Sequence, residues 1–328
     1  MKTCRLTLQP RTAFGTPLAG DTLFGQLCWT LRHRHGNPRL NELLEGYTAG
    51  RPFAVVSDPL PFGHLPLPSL PSTFWNGATE KRADQAKILK KKRWLPLAGV
   101  GEPLPEWQRL ARSDAEVAQA ITGVDTRPQT ERAQPHNSIN RQTGTTGTGA
   151  FAPYTQSQQW FAPAMRFQLY VALDESRLTL TELHDALAAI GETGYGRDAS
   201  IGLGKFALDQ DADIEPLAGL HHTQGDAWLT LGPTAPQGLG FCRERSYYQP
   251  LTRFGRHGDI AVHSGNPFKR PVLLACGGAV FSPLQDLTRQ ACIGQGLAGV
   301  SDAMPETVHQ GYAPVLGIRL PASGVRRP

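Results

Sequence analysis

The stretch "MRFQLYVALDESRLTLTELHDALAAIGETGYGRDASIGLGKFAL", residues 165–208, encodes a strand, a helix, a glycine-rich connection and a second strand. In residues 165–173 every second residue is apolar, which places Met165, Phe167, Leu169, Val171 and Leu173 on one side of a strand. A helix is predicted from Thr181, with apolar residues at helical spacing, and Gly191 is expected to end it. "LGKFAL", residues 203–208, is predicted as the closing strand.

The beginning of the chain repeats this order. "TCRLTL", residues 3–8, is predicted as a strand, Asp21 or Thr22 as the cap of a helix, and "FAVVS", residues 53–57, as a second strand. Joined to residues 165–208, these elements give the βαββαβ plan of a ferredoxin-like, RRM-like fold of the α+β class. An insertion at about 58–164 interrupts it, and its length predicts a functional or partly disordered segment.

The pattern beyond residue 208 is weaker. Strands are predicted near 227–231, 243–249, 271–276, 279–281 and 315–320. We therefore predict two ferredoxin-like domains, 1–208 and 209–328, the second a degenerate repeat of the first.

Composition favours a folded protein with a mild basic bias. The chain has 328 residues, 40% of them hydrophobic, and a formal net charge of +5. Residues 81–93, "KRADQAKILKKKR", carry seven Lys or Arg against one Asp. The five cysteines show no CxxC spacing and there is no apolar segment long enough for a membrane span, so reduced thiols in the cytoplasm are expected.

The glycine-rich connection, residues 191–205, carries five glycines together with Arg197 and Lys205. It does not match a P-loop, because Phe206 follows the lysine. It is not a dinucleotide fingerprint either, since a helix leads into it and a strand leaves it. Two interpretations are left: a loop that presses its backbone against a phosphodiester chain, or a loop that only needs tight turns.

Two further segments combine donors or cations with aromatic residues. Residues 136–151, "HNSINRQTGTTGTGAF", are rich in amides and hydroxyls and precede Tyr154 and Trp160. Residues 246–259, "SYYQPLTRFGRHGD", interleave aromatic and basic side chains. Such compositions suit single-stranded RNA. The alternatives are a low-complexity surface loop for the first and an edge strand with core aromatics for the second.

Five segments in order resemble the RAMP superfamily of CRISPR effector proteins, and in particular the Csm-type subunits of type III-A complexes that cap the 5′ end of crRNA. They are "LTLQPRTAFGTPLAGDTLFGQLCWTLR", "NSINRQTGTTGTGAF", "IGETGYGRDASIGLGKF", "SYYQPLTRFGRHGD" and "GYAPVLGIRL", which together span about residues 3–320. A related type III-B subunit with the same role stays open.

The resemblance implies two ferredoxin-like folds, a glycine loop on the RNA side and a β-hairpin thumb that projects from the insertion. It implies binding of the 5′ handle of crRNA, with the large polymerase-like subunit and the backbone RAMP subunits as partners. The thumb residues that match the family motif are Asn137, Ile139, Asn140, Arg141 and Thr143.

The remaining predicted RNA contacts come from three segments. The loop after the first strand ends at a helix N-terminus, where backbone N–H groups and hydroxyls suit a phosphate. The predicted residues are Arg11, Thr16, Gly20, Asp21 and Thr22 in that loop; Gly194, Tyr195, Gly196, Arg197, Gly202, Gly204 and Lys205 in the glycine stretch; and Tyr247, Tyr248, Arg253 and Arg256 in the later aromatic segment.

No catalytic residue, metal site or cofactor is predicted, so the chain is expected to be a scaffold. Asp209, Asp211 and Asp213 alternate as in a calcium loop, but Ile214 stands where that loop needs glycine. A metal-independent endoribonuclease that processes precursor crRNA is the alternative, with His33, His35 or His136 as the acid or base. A dinucleotide-binding enzyme is a third hypothesis.

Overall fold

The structure is a computed structural model that describes residues 1–75, 83–259, 262, 266–285 and 290–321. The α-helices are α1 (Gly20–Leu44), α2 (Ala83–Lys91), α3 (Trp107–Leu110), α4 (Asp114–Thr122) and α5 (Leu180–Thr193). The strands are β1 (Lys2–Pro10), β2 (Ala54–Val56), β3 (Leu60–Pro61), β4 (His64–Pro66), β5 (Trp94–Pro96), β6 (Gln129–His136), β7 (Tyr154–Phe161), β8 (Phe167–Leu173), β9 (Phe206–Leu208), β10 (Asp213–Ile214), β11 (Ala227–Thr230), β12 (Pro250–Arg253), β13 (Val272–Ala275), β14 (Val280–Phe281), β15 (Cys292–Leu297) and β16 (His309–Ile318).

The first sheet is antiparallel and is built around β1 and β8. Strand β8 pairs with β1 on one side and with β2 and β3 on the other, while β9 and β10 pair with the free side of β1. Helix α1 connects β1 to β2, and α5 connects β8 to β9. The predicted order of elements in residues 1–208, strand–helix–strand, insertion, strand–helix–strand, is confirmed.

Strand β8 is buried on both faces. The side that carries Leu169 and Val171 packs in the core with α1 and α5, whereas Tyr170 packs on the other side with Leu229 and Leu316 of the second sheet. Gln168 also lies on that second side, where its amide donates to the carbonyl of His64 (2.7 Å) and accepts from the N–H of Gly63 (3.1 Å). The insertion therefore satisfies a buried amide that would otherwise destabilise the sheet.

The ends of α5 differ from the predicted ones. Thr179, not Thr181, caps the helix, in a capping box with Glu182. Gly191 lies inside the helix, which continues to Thr193. A Cβ at Gly191 would lie 2.3 Å from the carbonyl oxygen of Phe206, so glycine is needed here for close packing of α5 on β9 and not as a helix end.

Helix α1 starts one residue before the predicted caps. Ala19 is the N-cap residue and makes no side-chain cap, so neither Asp21 nor Thr22 caps the helix. The helix is interrupted at Gly36, which has a φ of +81°, and Pro38 follows in the next turn. The "LRHRH" segment therefore lies at the end of the first, regular half of α1.

The second sheet has the strand order β14–β11–β16–β15 and is antiparallel. Its junction with the first sheet uses the buried Gln310, whose side-chain amide bonds to both the N–H and the carbonyl of Val56 at 2.8 Å. Within the described residues after 208 there is no α-helix. The second ferredoxin-like domain and the boundary at 208 therefore stay predictions.

One predicted strand of this region is wrong. Residues 243–249 contain a short 3-10 helix, Arg243–Arg245, and a single bridge from Tyr247 to Val280. The strand begins only at Pro250 and pairs with β13. The aromatic residues of this segment mimic strand composition, but β14 is too short to pair with more than one of them.

Most of the described insertion is folded. Strands β4 and β5 pair and lie with α3 against the second side of β8, whereas Val117 of α4 packs in the core that contains α1 and α5. Strands β6 and β7 form a long hairpin whose residues are mostly exposed. Lys81 and Arg82 of the basic run lie outside the described residues, and α2 carries the exposed Lys87 and Lys90. In the part of the chain that is described, no helix has the length and apolarity required to cross a bilayer. All five cysteines are free thiols.

The carboxyl group of Asp58, which follows β2 and accepts a hydrogen bond from the start of α1, predicts a pH effect on stability. Burial raises the pKa of this carboxyl to about 7, against the hydrogen bond from the N–H of Gly20, which lowers it. The folded chain therefore holds a proton that the unfolded chain releases near pH 4, so this group stabilises the fold at low pH and the stabilisation is lost as pH rises to about 7. Asp58→Asn keeps an acceptor for Gly20. It should reduce the change in the free energy of unfolding between low and neutral pH by roughly 1–2 kcal/mol.

Urea unfolding of both proteins at pH 5 and pH 8 measures the difference. Asp211→Asn, at an exposed carboxylate, is the control and should follow the wild type. Equal pH dependence in wild type and Asp58→Asn would contradict the assignment.

Candidate nucleic-acid interface

Two loops meet along their backbones beside the end of the first sheet. We call residues 11–19 the first loop and residues 194–205 the glycine loop. The N–H of Arg11 donates to the carbonyl of Lys205 (2.8 Å), and the N–H of Gly204 donates to that of Ala13 (2.7 Å). The N–H of Lys205 donates to Oγ1 of Thr12 (2.9 Å). The two loops therefore form one surface. This is expected, because the first loop follows β1, the glycine loop precedes β9, and these two strands pair.

Tyr195 fixes the two loops to each other from inside. Its side chain is fully buried, and its hydroxyl donates to the carbonyl of Pro17 (2.8 Å) and accepts from the N–H of Ala19 (3.1 Å). Burial raises the pKa of this phenol, so it stays a neutral donor. The ring of Tyr195 does not reach the surface, so it supports the loops from inside and the RNA contact predicted for this side chain would require the junction to open.

The glycines of this loop approach protein backbone. A Cβ at Gly194 (φ +110°) would lie 2.4 Å from the carbonyl oxygen of Leu203, and one at Gly204 (φ +74°) would lie 2.1 Å from that of Tyr195. A Cβ at Gly196 would meet the side chain of Thr16. Of the predicted glycines in this loop, only Gly202 faces open space. The sequence predicts that these glycines let the backbone approach a phosphate. In the structure they mainly let segments of the two loops approach each other.

The hairpin of β6 and β7 is attached to the same two loops. Phe14 and Gln159 exchange two backbone hydrogen bonds of 2.8 and 2.9 Å. The guanidinium of Arg197 donates to the carbonyl of Ser157 (2.9 Å), while its N–H donates to Oγ1 of Thr16 (2.9 Å). Arg197 also pairs with Asp198 at 3.2 Å. It therefore links all three elements rather than standing free for a phosphate.

The start of α1 is occupied by carboxylates. The N–H of Gly20 donates to Asp58 (2.8 Å). The side chain of Asp21 is 1% exposed and accepts from Arg253 at 2.7 Å. Asp21, and Asp58 once it ionises near pH 7, complement the positive end of the helix and would repel an added phosphate. This arrangement opposes the RNA contacts predicted for Gly20 and Asp21, and Thr22 is half-buried beside Asp21.

Exposed cations surround this junction. Arg11 and Lys205 are exposed neighbours, and no residue in the described part of the chain forms an ion pair with either side chain. On the hairpin, the guanidinium carbon of Arg132 lies 5.4 Å from the ring centre of Trp160, which is 40% exposed. Cations beside open aromatic rings can hold phosphates and stack unpaired bases.

The hairpin tip presents most of the residues predicted for it. Asn140 shapes the turn, because its side chain accepts from the N–H of Gln142 (2.9 Å) and its backbone bonds to Thr145 and Gly144. The other tip residues are exposed: Asn137, Ile139, Arg141 and Thr143. His136, at the base of the tip, stacks on Tyr154 with ring centres 5.2 Å apart.

The later aromatic segment is divided between two roles. Tyr247 packs edge-on against Phe74, and Tyr248 is 51% exposed over Phe281. Arg253 faces inward to Asp21, which opposes the RNA contact predicted for it, while Arg256 is exposed.

Some surface residues were missed by the sequence analysis. They are Arg132, Phe254 and Phe268. Alternation of aromatic and basic residues in 246–259 points to Phe254, but only strand pairing places Arg132 beside Trp160 and Phe268 beside Arg256. In the described residues no group of three or more His, Cys, Asp or Glu side chains could hold a metal ion.

The Tyr195 hydroxyl gives a test of the junction. Tyr195→Phe leaves the carbonyl of Pro17 and the N–H of Ala19 without their buried partner, which should lower the free energy of unfolding by about 1–3 kcal/mol. Tyr247→Phe is the matched control, because that hydroxyl bonds to Glu244 at an exposed site. Chemical denaturation of the two variants measures the costs, and equal small losses would contradict the structural role of Tyr195.

No family profile and no curated protein sequence matches the chain. Solved structures do. A chain of the Csm1–Csm4 cassette in complex with pppApA is 16% identical, with a TM-score of 0.58, 98% of this chain covered and 100% of that one. The cassette with cA4 gives 15% and 0.58, with the same shares covered. A chain of the Csm3–Csm4 subcomplex of the type III-A CRISPR-Cas interference complex gives 14% and 0.61, covering 97% and 100%. Csm4 is common to these assemblies, and the chain is similar in fold to their Csm4-type component over nearly its whole length.

Proposed function

We propose that the chain is the subunit of a type III-A CRISPR (Csm) complex that anchors the 5′ handle of crRNA. The observation that carries the proposal is the joining of the first loop, the glycine loop and the hairpin into one surface edged by Arg11 and Lys205. A single RNA strand lying there would meet exposed cations, the open Gly202 and the aromatic hairpin.

The partners follow from the same proposal. The similar solved structures are assemblies with Csm1 or with Csm3. We propose that this chain bridges a Csm1-like large subunit and a Csm3-like backbone subunit in the cytoplasm. The hairpin supports a contact of this kind, because β6 is exposed along nearly its whole length, half of β7 is exposed, and a lone two-stranded ribbon is marginally stable in water.

We also propose that the chain is a scaffold without an active site. The endoribonuclease alternative rests on one contact: Nε2 of His33 lies 2.6 Å from Oδ2 of Asp259, an arrangement that could orient an imidazole for proton transfer. The same contact ties α1 to the segment after β12, which is the role that we favour. His35 is exposed nearby and has no carboxylate partner among the described residues.

Loss of the two exposed cations should weaken RNA binding. Arg11→Ala combined with Lys205→Ala should lower affinity for a handle-containing crRNA about tenfold or more, and should reduce the slope of log K against log salt by ~0.7 for each phosphate released. Filter binding at several salt concentrations measures both quantities. Arg34→Ala removes an exposed arginine on the far half of α1 and should leave them unchanged. Unaltered affinity in the double variant would remove the glycine-loop surface from the proposal.

The scaffold and the nuclease predict different fates for repeat RNA. Purified protein incubated with precursor crRNA in EDTA should leave the RNA intact. Accumulating product that disappears in a His33→Ala variant would establish the nuclease and end the scaffold proposal. Product that persists in that variant and in His136→Ala would point to a contaminant, which a repeat purification identifies.

A further inference from the structure

A second surface lies on the ribbon formed by β12, β13 and the residues that extend them, 250–256 and 268–275. The strands pair from Pro250–Ala275 to Arg253–Val272, and a further bridge joins Arg256 to Phe268. Between the pair Arg253–Val272 and this bridge, one strand has two residues, 254 and 255, and the other has three, 269–271. The ribbon therefore contains a bulge. The ribbon has no third strand on either side within the described residues.

The inner face of the ribbon is fixed to the rest of the protein. Arg253 donates to the buried carboxylate of Asp21 at 2.7 Å. Just beyond the ribbon, the buried His257 bonds through Nε2 to Oγ of Ser301 at 2.7 Å, and Gly255 packs against the side chain of Lys269. These contacts determine which face points outward, because side chains alternate along a strand.

The outer face is largely apolar and aromatic. Its exposed residues are Pro250, Thr252, Phe254, Arg256, Phe268, Pro271 and Leu273, and Arg270 at the bulge is also exposed and pairs with Asp302. Phe254 is 76% exposed and Phe268 is 63% exposed. The guanidinium carbon of Arg256 lies 5.7 Å from the ring centre of Phe268.

Charge and position indicate what would cover this face. Residues 246–275 contain four Lys or Arg and one acid, Asp259, whose carboxylate already bonds to His33. Arg253 and Arg270 are paired with Asp21 and Asp302, and Lys269 is half-buried, so Arg256 is the exposed cation of the ribbon that has no ion pair among the described residues. The ribbon also lies beside the glycine-loop surface. Arg253 of the ribbon bonds to Asp21, and Ala19, two residues before Asp21, donates to Tyr195 of the glycine loop. Open phenyl rings interleaved with cations form the usual platform for unpaired bases.

We propose that the outer face of this ribbon is a second binding surface for single-stranded RNA, in which bases stack on Phe254 and Phe268 while Arg256 contacts the backbone. The inference rests on the proposed function only for the identity of the ligand as RNA. It assigns the ribbon a role distinct from the cationic loops, since its contribution comes from bases rather than from phosphates.

The test compares a 20-nucleotide oligoadenylate with an abasic oligonucleotide of the same length and backbone charge. The full-length wild type should bind the oligoadenylate more tightly. Phe254→Ala combined with Phe268→Ala should lower that affinity at least about fivefold, with abasic binding and the salt slope unchanged. Phe254→Tyr combined with Phe268→Tyr should restore binding. Leu284→Ala, at another exposed apolar residue (70%), should have no effect, and circular dichroism verifies that each variant is folded.

The outcomes separate the two proposals. If the Phe double variant binds like wild type while Arg11→Ala/Lys205→Ala loses affinity for crRNA, the ribbon proposal is overturned and the handle proposal stands. The opposite pattern keeps the ribbon and overturns the loop surface. A Phe variant that binds RNA normally but no longer associates with a Csm1-type subunit makes the ribbon a protein interface and overturns the inference, as does a wild type that prefers neither oligonucleotide.

Discussion

Three consecutive residues at the start of α1 are each bonded to a different part of the chain. The N–H of Ala19 donates to the hydroxyl of Tyr195 in the glycine loop, the N–H of Gly20 donates to Asp58 after β2, and the carboxylate of Asp21 accepts from Arg253 on the ribbon. A Cβ at Gly20 would lie 2.3 Å from the carbonyl oxygen of Ser57, so the helix cannot start elsewhere without moving β2. The relative positions of the glycine loop, the first sheet and the ribbon all depend on this point.

Because protein groups satisfy this helix N-terminus, the proposed nucleic-acid contacts lie on the side chains outside it. The first turn offers no free N–H group at Gly20, and two nearby carboxylates oppose an anion. The exposed chemistry lies instead on Arg11 and Lys205, whose backbones are hydrogen-bonded to each other. The buried junction thus acts as a rigid support, and the side chains around it supply the charge.

The hairpin and the ribbon each have a part that is fixed to the rest of the protein and a part that is exposed. Each is a pair of strands with one end fixed: the hairpin through Phe14 and Arg197, the ribbon through Arg253. Beyond those attachments each exposes aromatic side chains and cations. Neither would be expected to hold its shape alone, so the attachments near the glycine loop set the direction in which both present their residues.

Local patterns in the sequence determined the elements on either side of the insertion in the first 208 residues and their order, because periodicity of two and of 3.6 residues is a property of neighbouring positions. They also indicated that the segment around Arg197, the hairpin and the "SYYQPLTRFGRHGD" segment belong together. The tertiary structure alone decided which way each side chain faces. Tyr195, Asp21 and Arg253 carry the chemistry of RNA contacts, yet each bonds to a distant part of the chain. Tyr195 bonds to Ala19, 176 residues away, and Asp21 pairs with Arg253, 232 residues away. Phe254 and Phe268 share a face only because β12 and β13 pair with a bulge. Burial and pairing of that kind arise from contacts distant in sequence, which no local pattern records.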